Sequence, residues 1–265
     1  MLKEKILKTI IFYDIFDFPL SLFEIRKDLG EIKLSDLNLI LEELIIEKKL
    51  ELKNGFYFLA GREEIIKIRS RRYNYSKRKI KIALRFARIF MKIPFVSSVY
   101  LANSIGDYNL RDESDIDFFV TTRTKRIWLS RLLSAGLAKI LNKRPNKKTK
   151  RDKICLSFYL SEENLDFNGL KLKDGDPYFD FWEKNLLLLK ERRGREKRFS
   201  RTLNFLETLS YKFQLKIMPE KLRLANNISG VIFGEDIIKL YLKDRRLEIK
   251  EKYERKIHQI FGTSN

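Results

Sequence analysis

The sequence predicts an α+β protein, because segments with strand character lie between segments with helical periodicity. Residues 96–102 and 116–120 are rich in β-branched and aromatic side chains and flank a polar segment. Residues 154–160 form a third such run, and apolar residues recur at helical spacing before and after these strands. With 265 residues and 44% hydrophobic composition, the chain is long enough for two or three compact units.

The N-terminal part has the element order of a winged helix-turn-helix. Apolar periodicity predicts a helix over residues 3–16, and the capping-box sequence at 21–24 predicts the start of a second helix. A serine is the predicted N-cap of the third helix, over 35–49. Apolar runs within 50–59 then flank Asn54-Gly55, the strongest short hairpin signal.

The charges of this N-terminal part favour a structural or protein-contact role over DNA binding. Residues 1–60 contain nine Lys or Arg and eleven Asp or Glu, a net charge of −2, which leaves +22 for the remaining chain. The third helix would present Asp36, Glu42 and Glu43, whereas a helix in the major groove needs cations for phosphates. We therefore expect no DNA binding through residues 1–60.

Residues 62–92 predict a long and very basic helical region with a break near Asn74. Cations alternate with apolar residues at helical spacing over 76–91. This pattern fits a solvated amphipathic helix packed on a sheet and equally a surface that faces phosphates. The two interpretations are compatible, and the sequence does not separate them.

The central segment places two carboxylates on one face of a strand. Asp115 and Asp117 flank Ile116, and side chains at positions i and i+2 share a face. Two neighbouring carboxylates repel each other unless a cation neutralises them. A hard divalent ion such as Mg²⁺, held by one or two carboxylates and substrate phosphates, fits this pattern.

At these residues the chain resembles the nucleotidyltransferase superfamily, which includes DNA polymerase beta and the aminoglycoside nucleotidyltransferases. The family pattern is an apolar strand, Gly-Ser, about ten residues, and Asp-x-Asp in a second apolar strand. Ser104 is followed here by ten residues and then by Asp115-Ile116-Asp117. Bacterial proteins that join a winged helix to such a domain have a similar organisation.

The resemblance implies a set of site residues. Asp115 and Asp117 would be catalytic and would hold Mg²⁺ or Mn²⁺, the implied cofactor, which binds a nucleoside triphosphate. The turn residues and two cations would contact or neutralise the phosphates: Asn103, Ser104, Gly106, Arg123 and Lys125.

Two positions depart from the family pattern. The family glycine is Asn103 here, which tolerates positive φ better than most residues. The strand over 154–160 usually supplies a third carboxylate, but its candidates Cys155, Ser157 and Tyr159 are not acidic. The nearest acids are Asp152 before this strand and Glu162 and Glu163 after it, and Asp152 is the candidate third metal ligand.

The remaining segments are predicted to be mainly helical. Apolar spacing predicts a helix over 126–141, and residues 142–153 form a loop with seven cations and one acid. That loop is either a solvated connection or an electrostatic clamp for a triphosphate or an RNA backbone. Helices are predicted from Pro177 towards Gly194, over 199–216 and over 235–260. We expect their aromatic residues to lie in a core and not to form a base-stacking platform, namely Phe179, Phe181, Trp182, Phe205, Tyr211 and Phe213.

We divide the chain into three predicted domains. Residues 1–60 form the winged helix-turn-helix, and 61–170 form a nucleotidyltransferase-like α/β domain with a mixed β-sheet and flanking helices, which the basic helix 62–92 leads into. Residues 171–265 form a C-terminal helical unit.

Three functions from different classes remain open. The first is a Mg²⁺-dependent nucleotidyltransferase with an unknown acceptor. The second is a catalytically degenerate fold that acts as a nucleotide- or RNA-binding regulatory protein, and the third is a DNA-binding regulator. The net charge of +20 allows RNA or another polyanion as a partner of the basic body, and we expect no membrane association. One cysteine and one histidine exclude the usual zinc ligand sets and suggest a buried thiol in the cytoplasm.

Overall fold

The computed structural model describes residues 2–102, 108–146, 148–165, 167–192, 201–228 and 230–262. Helices and strands are mixed along this part of the chain, which confirms the predicted α+β class. Two compact units are distinguished. Their described residues are 2–74, 108–109 and 245–262 in the first unit, and 75–102 and 110–244, with the gaps given above, in the second.

The first unit contains three short helices, a small antiparallel sheet in the order β1-β3-β2, the start of a long helix, and the C-terminal helix. The elements are α1 (Leu2–Asp14), β1 (Leu20–Ser21), α2 (Leu22–Leu29), α3 (Leu34–Ile46), β2 (Leu50–Lys53), β3 (Phe56–Leu59), α4 (Glu64–Phe90) and α9 (Arg246–Phe261). The buried Asp14 carboxylate, at the end of α1, connects three parts of this unit. It pairs with Arg62, just before α4, at 3.0 Å and with Lys256 of α9.

The capping box of α2 is confirmed and has an additional partner. The Glu24 carboxylate accepts the Ser21 N–H at 2.8 Å, while the Ser21 hydroxyl accepts the Glu24 N–H. Arg69 of α4 donates two hydrogen bonds of 2.8 Å to the same carboxylate. Burial opposes ionisation of Glu24, but the bonds from Arg69 and Ser21 outweigh it and lower its pKa.

The predicted cap of the third helix is wrong, and the predicted hairpin is confirmed. Helix α3 begins at Leu34 without a side-chain cap, so Ser35 lies inside its first turn. The Ser35 hydroxyl instead donates to the neighbouring Asp36 carboxylate at 3.1 Å. Asn54 and Gly55, with φ of 53° and 78°, provide the two positive φ angles that a type I′ turn between β2 and β3 requires.

The second unit is built on a six-stranded mixed sheet in the order β7-β4-β5-β6-β9-β8. Strands β5 and β6 are parallel, and every other neighbouring pair is antiparallel. The elements are β4 (Val96–Leu101), β5 (Ile116–Thr122), α5 (Ile127–Ile140), β6 (Ile154–Ser161), a 3₁₀ helix (Asn168–Leu170), α6 (Pro177–Lys184), β7 (Leu187–Glu191), α7 (Arg201–Ile217), α8 (Glu220–Leu224), β8 (Val231–Phe233) and β9 (Ile237–Leu240).

The sheet has an apolar cluster on each face. Phe118 belongs to the cluster that contains Ala83 and Phe90 of α4, whereas its neighbour Phe119 belongs to the other cluster, with Phe179 of α6. Helix α4 continues through Asn74 to reach the first cluster, so the predicted break is wrong. A single asparagine lowers helix propensity by less than 1 kcal/mol, which tertiary packing easily offsets.

The C-terminal third is less helical than predicted. Helix α6 ends at Lys184, and β7 then forms one edge of the sheet. Strands β8 and β9 form the other edge, so the prediction of a helix over 235–260 is wrong before α9. The run Ile237–Leu240 is short and β-branched, and it pairs with β6 because that strand otherwise has an open edge.

Helix α7 packs through polar side chains and exposes apolar ones. Glu207 accepts two backbone N–H groups from the first turn of α5, at 2.7 and 2.9 Å, and Gln214 donates to the Trp128 carbonyl at 2.7 Å. Phe205 and Phe213 are 67% and 48% exposed, so their predicted place in a core is wrong. No helix in the described part of the chain is long and apolar enough to cross a membrane.

We expect the substitution Glu24→Gln to lower the free energy of unfolding by about 1–2 kcal/mol at pH 7, because it removes the charge that Arg69 and the helix start stabilise. The Glu24 pKa is lowered in the folded chain, so this stabilisation is present above the unfolded value, 4.5, and is lost as the pH falls through the folded value. Urea unfolding followed by circular dichroism at pH 7 and pH 3 measures both effects.

Glu63→Gln is the matched control, because Glu63 is an exposed acid of the same unit that pairs only at the surface with Lys53. We expect no measurable change in its unfolding midpoint. Equal losses in both variants, or a Glu24 effect that persists at pH 3, would contradict this interpretation.

Candidate functional site

The candidate site lies where β5 begins beside β6. Asp115 immediately precedes β5, and Asp117 is its second residue. The ligand atoms of Asp115, Asp117 and Cys155 all lie within 4.8 Å of one another, and all three residues are half-buried. We call these three residues the Asp-Asp-Cys cluster. It is the only group of this kind among the residues that the structure describes.

The parallel register of β5 and β6 explains the third member of the cluster. Asp117 is the partner of Cys155 in the ladder, and Cys155 lies on the strand from which the family resemblance implies a third carboxylate. The Cys155 sulfur lies 3.1 Å from the Ser157 hydroxyl on the same strand. The sequence identified Cys155 only as a non-acidic candidate, and the strand register is what brings it to the two carboxylates.

Backbone hydrogen bonds hold both carboxylate-bearing residues in place. The Ser114 carbonyl accepts a hydrogen bond of 2.6 Å from the Lys79 ammonium. The Ile116 N–H donates to the Lys153 carbonyl at 2.8 Å. The Asp117 carbonyl accepts the Ala102 N–H at 2.9 Å. Three hydrogen bonds therefore fix the backbone that carries the Asp115 and Asp117 side chains, and a preorganised site requires such a fixed backbone.

Asp152, the predicted third metal ligand, pairs with two cations of α4. Its carboxylate is 3.0 Å from the fully buried ammonium of Lys79 and 3.1 Å from the Arg78 guanidinium. Burial alone would raise the Asp152 pKa, but the bonds to these two cations lower it. The structure therefore brings Asp152 to α4 and does not include it in the Asp-Asp-Cys cluster.

Charge and burial keep the cluster's thiol protonated. Burial, followed by the charges of Asp117 and Asp115, raises the Cys155 pKa well above its usual value. Tyr241, just after β9, is affected in the same way, since burial and the same charges raise the pKa of its phenol. Sequence reasoning missed Tyr241, because no motif connects it to β5 or β6.

A glycine fixes the backbone at Tyr241. A Cβ atom on Gly230 would lie 2.3 Å from the Tyr241 carbonyl oxygen, so only glycine allows this approach. The Tyr241 N–H donates to the Gly230 carbonyl at 3.0 Å. This close approach and this hydrogen bond fix the backbone position of Tyr241.

Aromatic side chains continue the sheet face beyond the carboxylates. Phe119 follows Asp117 by two residues, and its ring lies 4.7 Å from Phe158 and 5.9 Å from Trp182 of α6. The Phe158 and Trp182 rings stack at 5.5 Å. The face therefore changes from polar at the start of β5 to apolar towards its middle, where α6 covers it.

Two of the other predicted residues, Arg123 and Lys125, lie away from the cluster. Arg123 and Lys125 follow the far end of β5, about 20 Å along the strand from Asp117. Arg123 pairs there with Glu162 at 2.9 Å. The predicted phosphate-binding residues Asn103, Ser104 and Gly106 lie outside the described residues.

The donor set of the cluster fits a divalent cation. Two carboxylates offer the hard oxygen ligands that Mg²⁺ and Mn²⁺ prefer, and a thiol extends the choice towards softer ions.

Comparison of the chain with known proteins found no matching protein-family profile, no matching curated protein and no matching solved structure.

Lys79 offers a stability test of the backbone support. We expect Lys79→Met to lower the free energy of unfolding of the second unit by about 3 kcal/mol, because Asp152 then keeps only the half-exposed Arg78 as a partner and the Ser114 carbonyl loses its donor. Both tryptophans of the chain lie in this unit, so urea unfolding followed by tryptophan fluorescence measures the loss.

Lys81→Met is the control, since Lys81 is exposed on the same helix. We expect its unfolding midpoint to remain at the wild-type value. A wild-type midpoint for Lys79→Met would show that the buried ion pair contributes nothing.

Cys155 offers a chemical test of the cluster. At pH 8 we expect iodoacetamide to alkylate the native chain more slowly than the urea-unfolded chain by about an order of magnitude or more, because thiolate is the reactive form. Asp117→Asn removes one repelling charge and should accelerate the native reaction. Mass spectrometry of this single-cysteine chain gives the rates directly. Equal rates in native wild type and Asp117→Asn would show that the carboxylate does not act on the thiol.

Proposed function

We propose that the second unit binds a nucleoside triphosphate through a divalent ion and transfers its nucleotidyl group to an acceptor. One observation carries the proposal, namely the convergence of the Asp115, Asp117 and Cys155 ligand atoms within 4.8 Å. The order of strand, polar segment and Asp-x-Asp strand supports it as well, because β4 and β5 pair as neighbouring antiparallel strands.

In this proposal, four residues of the second unit would have distinct roles. Asp115 and Asp117 would hold Mg²⁺ or Mn²⁺, and the bound ion would supply neutralisation of phosphate charge. Burial and the charges of Asp117 and Asp115 raise the pKa of the Tyr241 phenol, which would therefore remain a protonated hydrogen-bond donor. Lys79 would act as a positioning residue through the backbone before Asp115.

The finer fold assignment is part of the same proposal. We infer a nucleotidyltransferase-type core from the mixed sheet around β4, β5 and β6, and a winged helix in the first unit from three helices followed by the β2–β3 hairpin. The exposed side of α3 carries Asp36, Glu42 and Glu43, which supports a contact role for this unit over DNA reading.

A specific observation favours a second candidate function, binding of the nucleotide without turnover. The position paired with Asp117 holds a thiol that the neighbouring charges keep protonated, whereas two-metal transfer chemistry uses a further carboxylate. In this alternative the unit is a nucleotide-binding regulatory domain. If this alternative is correct, wild type releases no pyrophosphate. Cys155→Asp supplies a further carboxylate and should increase the Mg²⁺ affinity.

The direct test is titration calorimetry with each nucleoside triphosphate in the presence of Mg²⁺ or Mn²⁺. We expect metal-dependent binding that weakens by about tenfold or more in Asp115→Asn and in Asp117→Asn, because each variant removes a charged ligand. Glu220→Gln, an exposed acid of the same unit, should bind like wild type. Equal affinity of wild type and both aspartate variants, with and without metal, would reject the site.

Pyrophosphate release separates the two candidate functions. Release that depends on Asp115, in the presence of candidate RNA, protein or small-molecule acceptors, supports transfer. Metal-dependent binding without release from any of them supports the regulatory alternative.

A further inference from the structure

The part of α4 that lies in the second unit has one strictly cationic side. Between Glu64 and Asp107 the sequence contains no acidic residue. On α4 and the turn that follows it, five exposed cations are spaced by four, four, three and four residues. We call them the α4 stripe: Lys77, Lys81, Arg85, Arg88 and Lys92.

Helical geometry makes this stripe narrow and straight. At 100° and 1.5 Å per residue, the five positions fall within an arc of about 80° and extend over about 22 Å. The opposite side of the helix carries the buried Ala83, Ala87 and Phe90, so the orientation of the stripe is fixed by the core. The cations therefore form a preformed line.

This arrangement is not explained by contacts within the described structure. Lys81, Arg85, Arg88 and Lys92 form no ion pair with any described residue. Like charges at i and i+4 repel each other along a helix, so the stripe by itself destabilises α4. A polyanion that binds along the line would remove this repulsion.

The basic loop between α5 and β6 lies against α4, because Arg78 of α4 pairs with Asp152 of the loop. Arg78 of α4 and Arg151 of the loop bind the same carboxylate, that of Asp112, and the Arg151 distance is 3.1 Å. Lys148 and Lys150 of this loop are exposed. The loop, which the sequence allows as a clamp for a phosphate backbone, therefore adjoins a helix surface of the same positive charge.

We propose that the α4 stripe and the adjoining loop bind the phosphodiester backbone of a nucleic acid. Each strand of a duplex presents one phosphate per about 3.4 Å along its axis, so about six phosphates match the length of the five cations. A membrane is disfavoured, because interfacial helices also need an exposed apolar side, and no large exposed apolar residue lies between residues 77 and 92. The proposal goes beyond the transfer reaction and does not depend on it.

Fluorescence anisotropy with labelled 20-nucleotide probes tests this inference on the full chain. The probes are oligo(U), oligo(dT), an RNA duplex and a DNA duplex, each titrated between 50 and 200 mM salt. The test variant replaces Lys81, Arg85, Arg88 and Lys92 by Gln, which preserves helix propensity. The control variant replaces Lys212, Lys216, Lys221 and Arg223, exposed cations of the same unit, by Gln. Both variants carry a formal charge of +16, four below the wild-type value of +20.

For wild type and the control we expect tight binding with a steep salt dependence. In the test variant the slope of log affinity against log salt should become shallower by about 3, and binding near 0.1 M salt should weaken by about 100-fold or more. The preferred probe identifies RNA or DNA, and single strand or duplex. The double variant Asp115→Asn/Asp117→Asn should bind the probes as wild type does, which separates this proposal from the proposed transfer function.

Equal weakening in both charge variants would overturn the proposal, because net charge alone would then explain binding. Binding of heparin or an acidic protein without binding of any probe would overturn it too. If circular dichroism shows that the fourfold variant is unfolded, Lys81→Gln/Arg85→Gln replaces it, with an expected slope change of about half.

Discussion

The second unit depends on one buried ion pair, between Lys79 and Asp152. The Lys79 side chain has no exposed surface, so its charge must be compensated within the protein. It is compensated by the Asp152 carboxylate at 3.0 Å and by the carbonyl of Ser114 at 2.6 Å. These two contacts join α4 to the segment before β5 and to the segment before β6. The contact with Ser114 also fixes the backbone immediately before Asp115, so helix, sheet and one end of the candidate site share this electrostatic support.

The unit combines this compensated interior with opposite charges on its surface. Asp115 and Asp117 concentrate negative charge at the start of β5, while α4 and the loop before β6 are strongly basic. Lys79 lies at the boundary, since it faces Asp152 inwards while its helix presents cations outwards.

Local patterns predicted the elements that have a local cause. The capping box at Ser21, the hairpin at Asn54-Gly55, the β4–β5 pair and the start of α6 at Pro177 are all present, because each depends on residues close in sequence. The convergence of Asp115 and Asp117 was predictable for the same reason.

Long-range contacts account for what the sequence did not predict. Strands β7, β8 and β9 are strands because the sheet offers them open edges, and nothing near them in sequence shows this. The sequence does not show that the aromatic side of α7 is exposed, because the buried side carries the polar residues Glu207 and Gln214. These two side chains bind the backbone of α5. The partner of Asp152 could not be read from the sequence either, since Lys79 is one of many cations on α4.

The thiol of Cys155 also has a practical consequence. The chain has one sulfur of this kind, and the fold puts it beside the two acids. Thiols are soft ligands, so a mercury atom would select this location over every oxygen-based group in the chain. Crystallographic phasing and the location of the catalytic candidate would then come from the same heavy atom, in the unmutated protein.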